Sequence, residues 1–471
     1  MIHSSQFTLD QFAPIAVYNK LKTHFKNEIS FLFESAGSTE GNYSFIIIGA
    51  QERLSFKNNI TTYTDASEQK KVLSEDPFTF LKSYYAKIDQ KAYREKTQEL
   101  GIGYIDGFIG YIGYDMVKVF EPVLQSTMDA LEDELETPDL DLIRPKLIVV
   151  YSHKTHKLTL VTSMQTMAAD FDTIEGELKS AYDYVPLEPI TEESNGDFAF
   201  SKEKFFEMVS QSKEMIKSGD VFQILMANRY TEFAKVDPFS FYRILRTKNP
   251  SPYMFLLEFE DFSIVGSSPE VMVRLTDGEL LLKPIAGTRK RGATIAKDME
   301  MEEEMVNDPK ECAEHLMLID LGRNDVSRVA KTGSVQVHDM MHVEKYSHVM
   351  HMVTDVIAEL RDDKDMFDLF AATFTAGTMT GAPKIRAMQL IAEYEGLKRG
   401  FYSGAIGYFG FDGNMDSAIT IRTSMIKNDR IIFQAGAGVV ADSIPELEYL
   451  EVKNKLGALL SSLDDLKNKK S

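Results

Sequence analysis

Glu311 and Glu314 stand three residues apart at the head of the stretch ECAEHLMLIDLGRND (311–325), with His315 beside the second. A second pair at the same spacing, Glu448 and Glu451, is followed by Lys455. On a helix, a three-residue step sets both carboxylates on one face. Two such faces opposed would form an all-oxygen cage, the donor set that suits Mg²⁺. A di-iron bundle would need Glu-x-x-His motifs, but Glu311 to His315 is a step of four and has no second copy. Glutamates at this spacing also describe an ordinary solvated helix edge, so the pairs alone leave the choice open.

Other segments invite chemistry with less force. TAGTMTGAPK (375–384) fails as a phosphate loop, because Gly377 to Gly381 is too short and Pro383 stands where a glycine should precede the lysine. It still reads as a Gly/Thr-rich turn opening a helix at Pro383, able to present N–H groups to an anion. Asp412-x-Asn414-x-Asp416 imitates the start of a calcium loop, but Ser417 and Thr423 replace the required Gly and Glu, which leaves a hairpin turn. Gly436-Ala-Gly438 after a strand lets a backbone approach a carboxylate. His351 reads equally as a buried structural histidine. Arg422, among apolar neighbours in SAITIRTSMI, reads as a strand arginine with an anionic partner.

The elements that must position these residues mix both periods. Strands are expected over 43–57 and 145–163, the latter a hairpin, and helices over 76–89 and 168–183. YVPLEPITEESNGDF (184–198) is Pro- and Glu-rich without periodicity and reads as a linker between regions 1–183 and 199–465. Ser201 caps a helix that stops at Gly219, and 221–233 is a strand. Hairpins follow, one turning at Asp277-Gly278 and one over 402–426 turning at Asp412-Gly413-Asn414. Helices are expected near 299–319, 365–373 and 383–395, and a long one from Pro445. Hairpins and helices in no βαβ order give an α+β fold with large antiparallel β-sheets.

The chain has 471 residues, more than one small core can use, and a net charge of −20. That charge argues against a nucleic acid or an anionic membrane as partner. A small anionic substrate remains compatible, since local arginines or a bound cation reverse the local field. The only cysteine is Cys312, no signal peptide is evident at the N-terminus, and no apolar run reaches membrane-spanning length, so a cytoplasmic protein is expected.

Taken together, GDVFQILMANR (219–229), PSPYMFLLEFEDFSIVGSSPE (250–270), KPIAGTRKRG (283–292), ECAEHLMLIDLGRND, AGTMTGAPKIRAM (376–388), GAIGYFGFDGNMDSAITIRT (404–423) and QAGAGVVADSIPELEYLEVKNK (434–455) resemble the chorismate-utilising enzymes. FLFESA (31–36), NYSF (42–45) and GFIGYIGYD (107–115) extend the resemblance more loosely toward the N-terminus, on the side of the large subunits that form anthranilate. The resemblance implies a layered sandwich surrounded by helices. It implies Mg²⁺ held directly by Glu314 and Glu451 and through water by Glu311 and Glu448. Glu270 becomes the general acid for the departing C4 hydroxyl, and His351 serves the elimination of pyruvate. Tyr402, Arg422, Gly436 and Gly438 would hold the enolpyruvyl carboxylate. Gly287, Thr288 and Thr378 would line the ring site, and Lys455 would add positive charge there. Glu34, Ser35, Pro252, Tyr253 and Met254 match a regulatory L-tryptophan site, with either the Glu34 carboxylate or a backbone carbonyl taking the ligand's ammonium group. Many relatives carry Arg or Lys at the position of Asn42.

Two positions separate the branches of the family. Relatives that add water to C2 carry a lysine where this chain has Gln223; ammonia needs only positioning, which an amide provides. Relatives of the folate branch, which make aminodeoxychorismate, carry PIKGT with a nucleophilic lysine, and Ala286 in PIAGT cannot attack. Ammonia addition at C2 followed by pyruvate loss is therefore expected. No glutaminase segment is evident, so the resemblance also implies a glutamine amidotransferase subunit as ammonia source, and a hetero-oligomer.

Overall fold

The computed structural model describes residues 1–35, 43–191, 195–346 and 349–468. Among them the strands pair antiparallel. Two long strands, Tyr43–Lys57 and Leu140–Ser152, lie side by side with a register shift between Ala50 and Glu52. On one side of that shift the sheet continues through Ser30–Glu34, Tyr253–Glu258, Ser263–Ser268, Thr423–Lys427 and Arg430–Val439 to Gln223–Phe233. On the other it runs through Gly107–Ile112, Ala405–Gly410, Met415–Ile419, Val271–Thr276 and Glu279–Leu282 to Val349–Glu359, which also pairs with Ile285–Lys290 and Gln336–Lys345.

The period-2 alternation of the strands builds the layers. Phe31, Ile47 and Leu257 enter one core, which also takes Phe108, Met272 and Phe409 from the second limb, so this core fills the space between the limbs. Their neighbours Leu32, Ile46 and Leu256 face the opposite way, into a second core closed by Val17, Phe205, Phe241 and Leu456. These four come from the helices Pro14–His24, Lys202–Lys217, Pro238–Lys248 and Pro445–Asn468. The result is the expected layered α+β sandwich with helices outside it. Strands from the first 183 residues pair with strands of the second region, Ser30–Glu34 with Tyr253–Glu258 and Gly107–Ile112 with Ala405–Gly410.

Two expectations need correction. The helix expected near 299–319 is two helices, Ile295–Asn307 and Pro309–Ser327. Asp308 ends the first and caps the second by accepting from the N–H groups of Lys310 and Glu311, and Pro309 fits the first helical turn. The linker read over 184–198 ends in a short strand, Gly196–Phe198, because Phe198 packs on the Tyr230 ring at 5.2 Å. No helix among the described residues is long and apolar enough to cross a membrane.

Candidate active site

Glu270 follows the strand Ser263–Ser268 and is buried. Its main chain is fixed by the Ile419 N–H, 3.0 Å from its carbonyl. Its Oε1 accepts from the Thr378 hydroxyl at 3.2 Å, and Thr378 sits in the short turn Gly377–Met379 that precedes Pro383. Burial pushes the Glu270 carboxyl up to about 8, with Thr378 and the distant charge of Lys455 opposing. It is therefore protonated near neutral pH and able to donate.

His351 lies on Val349–Glu359, paired in register with Thr288. Its Nδ1 is 3.0 Å from Thr288 Oγ1 and 3.4 Å from the Gly287 carbonyl. A proton on Nδ1 satisfies that carbonyl and leaves Nε2 as the basic nitrogen. Burial, first of all, lowers its pKa to about 4, so the imidazole is neutral at pH 7. The strand Ile285–Lys290 breaks register between Ala286 and Thr288, where Gly287 takes φ +63°. A β-carbon there would come within 3.3 Å of Glu311. The ring-site strand and the first glutamate helix thus meet at Gly287.

The other half of the site gathers around Gly436 and Gly438. A β-carbon on Gly436 would lie 3.0 Å from the Tyr402 hydroxyl, and one on Gly438 would lie 2.7 Å from the Gln223 amide nitrogen. Lys455 Nζ donates to the Gly436 carbonyl at 2.8 Å and pairs with Glu451 at 2.6 Å. Arg422 is not in a strand as expected. It links Met415–Ile419 to Thr423–Lys427 in a left-handed conformation at φ +52°. Its guanidinium donates to the Lys455 carbonyl, and it forms no ion pair with a carboxylate among the described residues. The backbone reversal turns the side chain out of the sheet toward the helix Pro445–Asn468. Burial lowers the Arg422 pKa, with Tyr402 and Glu451 opposing. A half-buried guanidinium matched only by a carbonyl suits an anionic ligand.

The two glutamate pairs lie on the helices Pro309–Ser327 and Pro445–Asn468, near enough for the charges of Glu448 and Glu451 to act on Glu314. Burial raises the Glu314 pKa, and the charges of Glu311, Glu451 and Glu448 add to it. Glu448 is raised by burial and then by Glu451. Cationic side chains temper the repulsion: Arg289 donates to Glu311 at 3.0 Å, Lys310 is 3.8 Å from Glu314, and Lys455 holds Glu451. No group of three acidic, histidine or cysteine side chains converges at ligand distance among the described residues. The donor chemistry nevertheless suits Mg²⁺, because four mutually repelling carboxylates gain most from a divalent cation between them.

Glu34, Ser35, Pro252, Tyr253 and Met254 line one cavity of about 570 Å³. Glu34 pairs in register with Met254. Its carboxylate is already held by Arg246, at 2.9 and 2.8 Å, and by the Tyr242 hydroxyl at 2.7 Å. Of the two groups considered for an ammonium ion, that leaves the main chain. Pro269 and Val271, on either side of Glu270, share the cavity wall. Asn42 lies outside the described residues.

Sequence reasoning missed two residues of consequence. Arg289 ties the ring-site strand to Glu311, Glu304 and Asp308. Arg399 is fully buried and holds Glu395 through two nitrogens, with further bonds to the Met379 and Leu225 carbonyls at 2.9 Å. The i,i+4 spacing of Glu395 and Arg399 was the available signal, but it reads as an ordinary surface pair.

The chorismate binding enzyme family model matches residues 28–461. Anthranilate synthase component 1 of Aquifex aeolicus is 40% identical, over 98% of this chain and 94% of its own length. That of Acinetobacter calcoaceticus is 39% identical, over 97% and 93%. The crystal structure of anthranilate synthase component I from Streptococcus pneumoniae superposes with a TM-score of 0.77 at 33% identity, covering 96% of this chain and 98% of that one. The menaquinone-specific isochorismate synthase MenF of Escherichia coli shares the fold, with a TM-score of 0.72 at 19% identity over 98% and 95% of the two chains. With the sandwich and the buried Glu270 in place, the chain belongs to the chorismate-binding enzyme family, in the branch of the anthranilate synthase component 1 chains.

Proposed function

We propose that the chain is the large subunit of an anthranilate synthase, converting chorismate and ammonia into anthranilate and pyruvate. The observation that carries the reading is Glu270, a buried carboxyl kept protonated near neutral pH beside Thr378. Hydroxide is a poor leaving group, and the C4 hydroxyl departs as water once Glu270 gives it a proton. Ammonia forms the new bond at C2, the ring double bonds shift, and the C4–O bond breaks. The Gln223 amide, against Gly438, orients ammonia without having to deprotonate it. In the second step neutral His351 accepts the C2 proton as the enolpyruvyl C3–O bond breaks, which releases pyruvate and makes the ring aromatic. Arg422, Tyr402 and the backbone at Gly436 and Gly438 bind the enolpyruvyl carboxylate, and Thr288 and Thr378 border the ring.

Glu314 and Glu451 would hold Mg²⁺ directly, with Glu311 and Glu448 acting through water. When bound, the ion supplies charge neutralisation for the ring carboxylate. Lys455 adds positive charge at the same end. Ammonia in the cell comes from a glutamine amidotransferase subunit, in keeping with the component 1 designation of the relatives. The cavity at Ser35 and Met254 takes L-tryptophan as a feedback inhibitor, and the protein works in the cytoplasm.

Product identification tests the reaction. The purified chain, given chorismate, Mg²⁺ and an ammonium salt, yields anthranilate and pyruvate in equal amounts. Aminodeoxychorismate as end product would move it to the folate branch, and isochorismate or salicylate would show that water, not ammonia, attacks.

A further inference from the structure

The stretch GFIGYIGYD (107–115) takes no part in the chemistry above, yet the structure gives it a close neighbour. Its strand Gly107–Ile112 pairs with Ala405–Gly410, from Gly107↔Gly410 to Ile112↔Ala405. Past Ile112 the chain runs along the turn that delivers Tyr402. The Tyr114 N–H donates to the Gly400 carbonyl at 2.8 Å, and the Gly400 N–H donates to Asp115 Oδ2 at 2.8 Å. Both polar groups of Gly400 are thus held by consecutive residues of one motif. Gly113 lies so near that a β-carbon on it would come within 2.9 Å of the same Gly400 carbonyl.

Gly400 is one step from the substrate end of the site. The Arg399 guanidinium lies 4.9 Å from the centre of the Tyr114 ring and 5.8 Å from that of Tyr402. The Tyr402 N–H donates to the Arg399 carbonyl at 3.3 Å. Asp115 is buried, and its Oδ1 has no protein partner. Burial raises its pKa, and the nearby Asp139 adds to this. As an element of stability alone, a buried carboxyl with one oxygen unmatched is a poor choice.

We propose that Gly113, Tyr114 and Asp115 clamp Gly400 and thereby set Tyr402 in place for the substrate's carboxylate. Asp115 is a positioning residue and does not touch substrate. The inference rests on the proposed role of Tyr402.

The test compares Asp115→Asn, which keeps an oxygen for the Gly400 N–H, with Asp115→Ala, which removes it. For the alanine variant, the KM for chorismate and its calorimetric Kd without ammonium should rise roughly tenfold, with kcat at saturation and the KM for ammonium within about threefold of the parent. Asp115→Asn should stay within about twofold on every measure. Gly113→Ala crowds the Gly400 carbonyl, together with the Tyr111 hydroxyl and the Asp139 carbonyl, and should also weaken chorismate, which keeps the clamp testable if Asp115→Ala does not fold. A folded Asp115→Ala or Gly113→Ala with parental chorismate affinity would overturn the clamp, as would an Asp115→Asn as impaired as the alanine variant. Chorismate affinity is read without turnover. A wrong product from the parent therefore counts against the reaction, whereas parental affinity in the variants counts against the clamp alone.

Discussion

Thr378 Oγ1 stands 3.2 Å from Glu270 Oε1 and is the one side chain that bonds this buried carboxyl among the described residues. The hydroxyl orients the acid, and burial keeps the acid protonated. Glu270→Gln keeps the shape and removes the proton, so turnover should fall roughly 10²–10⁴-fold. With unprotonated ammonia held constant, kcat/KM should decline above pH about 8 as Glu270 ionises and below about 4 as His351 becomes charged. Steady-state kinetics across that range checks both limbs; a rate that stays flat to well above pH 8 would remove Glu270 from the role of acid.

The same burial has a consequence for stability. The Glu270 pKa is raised on folding from 4.5 to about 8. The native state therefore holds a proton that the unfolded chain gives up, and stability falls as pH climbs between those values. The difference is worth a few kcal/mol, on the order of 1.4 per pKa unit. Glu270→Gln cannot ionise and should melt higher than the parent at pH 8, with the two converging toward pH 4.5. Thermal melts at the two pH values read this directly.

Much of this arrangement was legible in the sequence where local chemistry dictates it. Asp277-Gly278 turns its hairpin with φ +50° and +87°, and Ser201 caps its helix through the Lys204 N–H, both as residue type suggests. The break at Asp308 did carry a local signal, Asn307-Asp308-Pro309, which the helix-forming residues on both sides of it outweighed. Arg422 was misread as a strand residue because no glycine marks the reversal in SAITIRTSMI. The pairing of Thr288 with His351 depends on register between distant strands, and the burial of Arg399 depends on Tyr114, far away in the chain. Neither leaves a local signature. The family resemblance could name such residues, but not say what holds them.

Burial raises the proton affinity of Glu314 and Glu448, and neighbouring glutamates add to it: Glu311, Glu451 and Glu448 at Glu314, and Glu451 at Glu448. A cation between the helices would relieve that repulsion. Mg²⁺ at a hundred times its Kd should therefore stabilise the parent by about 2.7 kcal/mol, seen as a higher melting temperature. The gain should shrink toward acid pH, where protons compete for the carboxylates. Glu314→Gln and Glu451→Gln should lose most of it without losing the fold. An equal Mg²⁺-induced shift in either variant would place the metal elsewhere.

The cavity at Ser35 offers a separate measurement. Phe33, Ser35 and Met254 line it, while the Glu34 carboxylate stays with Arg246 and Tyr242. Calorimetry should show L-tryptophan binding that Ser35→Arg abolishes by filling the space. Glu34→Gln should weaken binding less than Ser35→Arg does, because its carboxylate supports the strand and does not meet the ligand. No heat and no inhibition at millimolar tryptophan would reject the site.

The role proposed for Gln223 is to select the nucleophile, and so the branch of the family this chain serves. Its amide nitrogen lies against Gly438, one of the residues proposed to hold the enolpyruvyl carboxylate. An amide can orient ammonia but cannot take a proton from water. With abundant ammonium the isolated chain should need no partner, and its rate should rise with pH as free ammonia replaces ammonium, until Glu270 loses its proton. With glutamine as the only nitrogen source it should stay inactive until an amidotransferase subunit is added. Gln223→Lys places a base where water would be activated, so ammonia use should fall and a trace of isochorismate should accompany anthranilate. Chromatography of the parent and variant reactions settles the point. A parent that turns over equally well with no nitrogen source would show that water is its nucleophile and that the amide at position 223 does not select ammonia.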